Sequence, residues 1–201
     1  MSSLYYFSDC PYCFRLRVFL AEREVGYTPI LCERLNLPPE LPGYAPLRKL
    51  PVWLTQSGKS LFGSRTIAAY VDQLAPGEPL FPSDPLQRAR VDMALDLIDE
   101  GLLAALLRLD RLTRGQEPGQ WDLTAYDREV REVRQWLDVF GQLLGDRKWL
   151  IGDRMTPADL ALIQPLAILE RYGLDLSHQP ALADLLARLD RRPAVQQARR
   201  S

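Results

Sequence analysis

Apolar positions follow two different periods along the chain. In the first eighty residues, short compact apolar runs that read as strands alternate with 3.6-residue spacing that reads as helix. Leu4–Phe7 is aromatic and compact, like a buried strand. Phe14, Val18 and Ala21, then Leu16, Phe19 and Leu20, recur at helical spacing up to Arg23, and Gly26 stands where that helix should stop. Tyr27–Cys32 predicts a second strand, confined by Pro29 to an edge or a strand start. A loop crowded with Pro38, Pro39, Pro42, Gly43 and Pro46 follows. Pro51–Thr55 predicts a third strand, Ser57-Gly58 a reversal, and Ser60–Phe62 a short fourth strand. Ser64 is then expected to cap a helix running to about Leu74.

From Ala75 to Pro85 the pattern lapses into Pro76, Gly77, Pro79, Pro82 and Pro85, which predicts a semi-rigid linker over 76–85. Everything beyond it is helical in pattern. Val91, Ala94, Leu95, Ile98, Leu102, Leu106 and Leu109 make one 3.6-period stripe through Leu86–Arg114, broken by Gly115–Gly119. A second long helix is expected over Tyr126–Leu144, with Val130, Val133, Leu137 and Phe140 on one face. Another should start at Thr156, and a last one should span about Ala181–Asp190. Thr156, Pro157 and Asp159 stand at the N-cap, first and third positions, a capping box with Asp for the usual Glu. Met155 and Leu160 stand at the positions of a hydrophobic staple. The fold class is therefore a small α/β domain over 1–75 followed by an all-α domain over 86–201.

Composition narrows the partners. The 201 residues are 47% apolar and 25% charged, which suits a globular chain with a sizeable core and excludes disordered and collagen-like classes. Twenty-five basic and 26 acidic residues give a net charge of −1. Neither half carries the excess positive charge that phosphate-backbone binding requires, so no nucleic acid is expected. The start, Met1–Phe7, lacks the form of a signal peptide, and the most apolar stretch, Leu160–Leu169, is half the length a bilayer needs. A cytoplasmic setting with no membrane partner is the expectation, and there a Cys-x-x-Cys suggests redox chemistry or metal.

That motif is Cys10-Pro11-Tyr12-Cys13, at the junction of the first strand and first helix. Free amides and the positive dipole end at a helix start favour an anion. With Cys10 as cap and Pro11 as first helical residue, the amides of Tyr12 and Cys13 can face a Cys10 thiolate and lower its pKa. Cys13, one turn inward, is placed to attack a mixed disulfide on Cys10. Zinc would need four ligands, and only Cys32 and His178 remain to supply them. Two buried structural cysteines are the other plain reading.

Cys-Pro-Tyr-Cys after a first strand resembles the signature of glutaredoxins, and nearly the whole chain is similar to the glutathione S-transferase-like family. Cys10 with Arg15 and Arg17, Leu50-Pro51-Val52, Ser64 before Ile67 and Tyr70, and Thr156-Pro157-Ala158-Asp159 carry that likeness. In character it is similar to omega-class transferases and to the larger, transferase-shaped bacterial glutaredoxins. The resemblance implies a thioredoxin-like first domain and a helical second one, with glutathione as co-substrate and no metal. It further implies Cys10 as nucleophile, Pro51 as a cis-proline, Leu50 offering backbone groups to the cysteinyl part of glutathione, and Lys49 meeting its glycine carboxylate. Tyr12 joins the site through the thiol turn, and Ser64 would bind the γ-glutamyl carboxylate at a helix start.

One departure stands out. The family usually has Glu or Gln before that serine, and this chain has Gly63. The missing hydrogen bond to a charged group is worth about 1.5–3 kcal/mol, so either binding is weakened, another group such as Arg65 substitutes, or the ligand differs.

Other candidates read as structure. Tyr5 and Tyr6 sit inside a strand pattern, His178 lies in a loop-like stretch, Arg108, Arg111 and Arg114 make a charged helix face, and Arg199-Arg200 a frayed end. Trp53 fits either a cleft wall or the core. The expected activity is glutathione-dependent thiol–disulfide exchange on a small disulfide, with the second substrate in a cleft between the domains. The alternatives are transfer of glutathione to small electrophiles, and a non-catalytic interaction protein of the stringent-starvation kind. A homodimer is implied by the family alone.

Overall fold

A computed structural model describes residues 1–41 and 49–200, so Pro42, Gly43 and Pro46 of the proline-rich loop lie outside the described residues. The chain forms two compact units: Met1–Phe81 together with Asp190–Ser201, and Pro82–Leu189.

The first unit carries β1 (Ser3–Tyr6), α1 (Pro11–Glu22), β2 (Thr28–Leu31), β3 (Val52–Leu54), β4 (Ser60–Phe62) and α2 (Ser64–Leu74). The sheet order is β2-β1-β3-β4, with β1 parallel to β2 and the other pairs antiparallel. A parallel pair needs a crossover, and α1 supplies it. Pro29 lies on the edge strand, opposite Leu4, where a missing backbone donor is tolerated. Leu4, Tyr5 and Tyr6 are all buried, so β1 is covered on both faces, which is why it reads as a run and not as an alternation. Trp53 is 3% exposed and packs its ring 6.0 Å from that of Tyr27; it belongs to the core.

The cap of α2 corrects the sequence expectation. Gly63, at φ +87, is the N-cap, and Ser64 is the first helical residue. That dihedral suits glycine and strains other residues. The segment expected to be a linker is held down over half its length. Arg23 donates to the carbonyls of Ala75 (3.1 Å) and Glu78 (2.9 Å) and pairs with Asp72 at 2.7 Å. Asp72 in turn accepts from the amides of Leu80 (3.1 Å) and Phe81 (2.8 Å). The C-terminal end is not frayed. Pro193–Arg200 forms a helix, designated α8 below, that packs on α1 through Ala194, Val195 and Ala198. Arg17 donates to the carbonyl of Ala198, and Arg192 grips Glu22 with both nitrogens at 2.5 and 2.7 Å. Eight residues with three small apolar positions are too few for periodicity to reveal such a helix.

The second unit contains α3 (Pro85–Asp96), a π-helical turn (Leu97–Leu102), α4 (Leu103–Thr113), α5 (Leu123–Leu144), α6 (Pro157–Ala167) and a 3-10 turn (Leu169–Tyr172). It closes with α7 (Pro180–Asp190). The single stripe expected from Leu86 to Arg114 thus contains a one-turn widening. Gly101 lies in it, and a Cβ there would fall 2.5 Å from the Trp136 ring; the indole of α5 occupies that space. Arg108, expected on a solvated face, instead bridges α4 to α5 by pairing with Glu129 (2.6 Å) and Glu132 (2.7 Å), and Glu129 is buried. The capping box at Thr156 is present, with the Thr156 amide donating to Asp159 at 2.8 Å. The same carboxylate accepts from the amide of Leu150 at 2.7 Å and is fully buried. Among the described residues no helix is long and apolar enough to cross a membrane.

Two stability changes follow from these contacts. Gly101→Ala would add about 1 kcal/mol by helix propensity alone, but the indole contact reverses the sign to a loss of about 1–3 kcal/mol. Asp159→Ala strands two buried amides and should cost about 2–6 kcal/mol. Denaturant titration of each variant against the unaltered chain reads both.

Candidate active site

The first turn of α1 is built as its sequence requires. Cys10 is the N-cap with extended backbone (φ −91, ψ 120), and Pro11 takes the first helical position, where an N–H has no intrahelical partner to lose. The carbonyl of Cys10 already accepts from Phe14 at 2.9 Å. Cys10 is part-exposed, Cys13 is fully buried, and both are free thiols.

These positions drive the two thiols apart chemically. Cys10 is brought down from the usual value of 9.0 to about 7, mainly by the Cys13 thiol donating to its sulfur. Partial burial opposes this, and the amides of Cys13 and Tyr12 and the Arg34 guanidinium add to it. Cys13 is pushed far up, because its proton is held in the bond to Cys10, and burial reinforces the effect. Arg34 is fixed beside the turn by an ion pair with Asp9 at 2.9 Å and by its stack over the Phe7 ring at 4.5 Å. Sequence reasoning missed Arg34, since an exposed loop arginine carries no motif.

A second cluster adjoins the turn. Arg15 is nearly buried; it stacks 4.9 Å from the centre of the Tyr12 ring, and its Nε donates to the Ser64 hydroxyl at 2.9 Å. Ser64, also buried, begins α2. The Leu50–Pro51 bond is cis, and the Gly63 amide donates to the Pro51 carbonyl at 3.3 Å. Cys10, Tyr12, Cys13, Ser64 and Pro51 are therefore joined by one chain of contacts. Lys49, exposed, and Arg65, half-buried, flank Leu50 and Ser64 in sequence, and Leu50 itself is buried. His178 is exposed, and the described residues contain no group of three His, Cys, Asp or Glu that could hold a metal. The arrangement offers a half-buried thiol of lowered pKa next to a helix start backed by a buried cation.

Known proteins share this architecture. Residues 9–74 match the glutathione S-transferase N-terminal domain family, and residues 107–193 match its C-terminal domain family. Maleylacetoacetate isomerase of Pseudomonas aeruginosa is 31% identical over 210 residues, covering 96% of this chain and 92% of that protein. The mouse maleylacetoacetate isomerase is 26% identical, with 90% and 83% covered. A glutathione S-transferase structure from Methylobacillus flagellatus, with glutathione bound, superposes with a TM-score of 0.87 at 28% identity, covering 98% of each chain. With both domains matched and that fold reproduced, the chain belongs to the glutathione S-transferase family and is a glutathione transferase-like enzyme with glutathione as its co-substrate.

Proposed function

We propose that the protein is a glutathione-dependent thiol–disulfide oxidoreductase with Cys10 as its nucleophile. The observation that supports this best is the Cys10–Cys13 pair at the start of α1, where a part-exposed thiol at the N-cap lies one turn from a fully buried one. A thiol titrating at about 7 instead of 9.0 is about half ionised at pH 7, against about one per cent otherwise. Thiolates and not thiols attack disulfides, and the gain in thiolate outweighs the lower nucleophilicity of a less basic sulfur, leaving a net gain in rate of about fivefold to tenfold.

The cycle runs in two exchanges. The Cys10 thiolate attacks the glutathionyl sulfur of a mixed disulfide, forming a Cys10–glutathione disulfide, and the old S–S bond breaks to release the substrate thiolate, which takes up a proton. A glutathione thiolate then attacks the glutathionyl sulfur on Cys10, forming oxidised glutathione and freeing the Cys10 thiolate. Cys13, fully buried with its pKa raised, acts as donor to Cys10, and glutathione resolves the intermediate. Glutathione would lie with its γ-glutamyl carboxylate at Ser64 and the start of α2, its cysteinyl backbone along Leu50 at the cis-Pro51, and its glycine carboxylate toward Lys49. Tyr12 would border the sulfur, and Arg65 supplies a further cation beside Ser64.

A second reading draws on the relatives named maleylacetoacetate isomerase. In it, the same turn would serve glutathione in an isomerisation of maleylacetoacetate.

Turnover of a small glutathione mixed disulfide separates the two. The unaltered chain should reduce it in a glutathione-dependent manner, Cys10→Ser should lose at least about a hundredfold, and Cys13→Ser should keep activity to within about tenfold because a hydroxyl still donates. Equal loss in both variants would mean that Cys13 resolves the intermediate. Isomerisation of maleylacetoacetate with no mixed-disulfide reduction would establish the second reading instead.

A further inference from the structure

We infer that Arg15 is a positioning residue for glutathione, acting through the Ser64 hydroxyl. The inference rests on the reading of Ser64 as the γ-glutamyl site and adds to it a residue from a different helix.

A serine hydroxyl has one hydrogen to donate and two lone pairs to accept with. At Ser64 one lone pair is taken by the Arg15 Nε–H, at 2.9 Å and out of water. The hydroxyl is thereby fixed in the accepting role toward α1, and its own proton is left to point to another acceptor. A donor polarised by a cation behind it is a stronger donor, since hydrogen bonds in a chain reinforce one another where the dielectric is low. The acceptor it suits best is an anion, for two further reasons at the same place. Ser64 is the first residue of an eleven-residue helix, so free amides and the positive dipole end share its position. The Arg15 guanidinium is only 8% exposed, so little water screens it from a ligand there.

The same guanidinium stacks on Tyr12, two residues from Cys10. One side chain therefore spans the thiol turn and the start of α2, elements 49 residues apart in the chain. Gly63 offers no side chain of its own at the position before Ser64, where its φ of +87 favours glycine. With no side chain at 63 to bond the γ-glutamyl end of the ligand, support for the anion would come from α1 through Arg15 and the Ser64 hydroxyl.

Calorimetric titration with glutathione tests this on the intact chain. Arg15→Leu should weaken glutathione binding by roughly tenfold to a hundredfold, the size of one lost charge-assisted hydrogen bond. Because Arg15 acts through Ser64, the double variant Arg15→Leu/Ser64→Ala should bind within about threefold of Ser64→Ala alone. The pH midpoint for alkylation of Cys10 should stay at its unaltered value, which a collapsed α1 turn would not allow. Should Arg15→Leu fail to fold, Arg15→Lys and Arg15→Gln carry the same comparison, Lys keeping the charge without the Nε donor. Additive losses in the double variant, an unchanged affinity in Arg15→Leu, a shifted Cys10 midpoint, or no glutathione binding by the unaltered chain would each overturn the inference. A chain that binds glutathione through this pair but does not reduce mixed disulfides would sink the oxidoreductase reading and leave this one standing.

Discussion

Helix α1 is buried at every position from Cys13 to Leu20, and three arginines of this region, Arg15, Arg17 and Arg23, go into the interior with it. A buried guanidinium is costly unless its donors are met. Each of the three meets a different part of the first unit. Arg15 reaches the start of α2, Arg17 the end of α8, and Arg23 the segment that leads out to the second unit. The demand of one helix for partners thus fixes the start of α2, the C-terminal helix and the exit of the chain. Removing any of these arginines disturbs a contact far away in sequence.

The chemistry of the thiol pair comes from the same burial. Cys13 points into the packed side of α1 and Cys10 sits at the edge, so two identical groups one turn apart meet different environments. The buried one retains its proton and shares it; the other gains a thiolate at a pH where free cysteine has almost none. The helix start adds amides, and Arg34 adds a cation held in place by Asp9 and Phe7. Division of labour between like groups through environment alone is a general way to obtain reactivity near neutral pH. In the second unit the buried polar groups serve stability: Asp159 ties Thr156 to Leu150, and Glu129 ties α5 to Arg108.

Much of this was legible in the sequence, because the signals were local. Period-2 and period-3.6 patterns mark the sheet elements and the long helices, Pro29 marks an edge, and the spacing of Thr156, Pro157 and Asp159 marks a helix start to the residue. The turn at Cys10 could be read because a proline at the first helical position fixes which residue is the cap. Long-range contacts left no such mark. Nothing local distinguishes Arg15, reaching across 49 residues to Ser64, from a surface arginine, and the Arg17 contact with Ala198 spans 181 residues. The π-helical turn was hidden because Gly101 accommodates an indole from another helix. The cap of α2 lies one residue before the serine that cap preference points to, at Gly63, whose φ of +87 favours glycine.

The most direct measurement is the pH dependence of Cys10 alkylation by iodoacetamide, followed by mass spectrometry, in the unaltered chain and in Cys13→Ala. Removing the principal donor removes the main cause of the lowered pKa, so the midpoint should stand near 7 in the unaltered chain and move up toward 9.0 in the variant. A midpoint near 9.0 in the unaltered chain, or one that ignores the loss of Cys13, would contradict a nucleophile made by its buried neighbour.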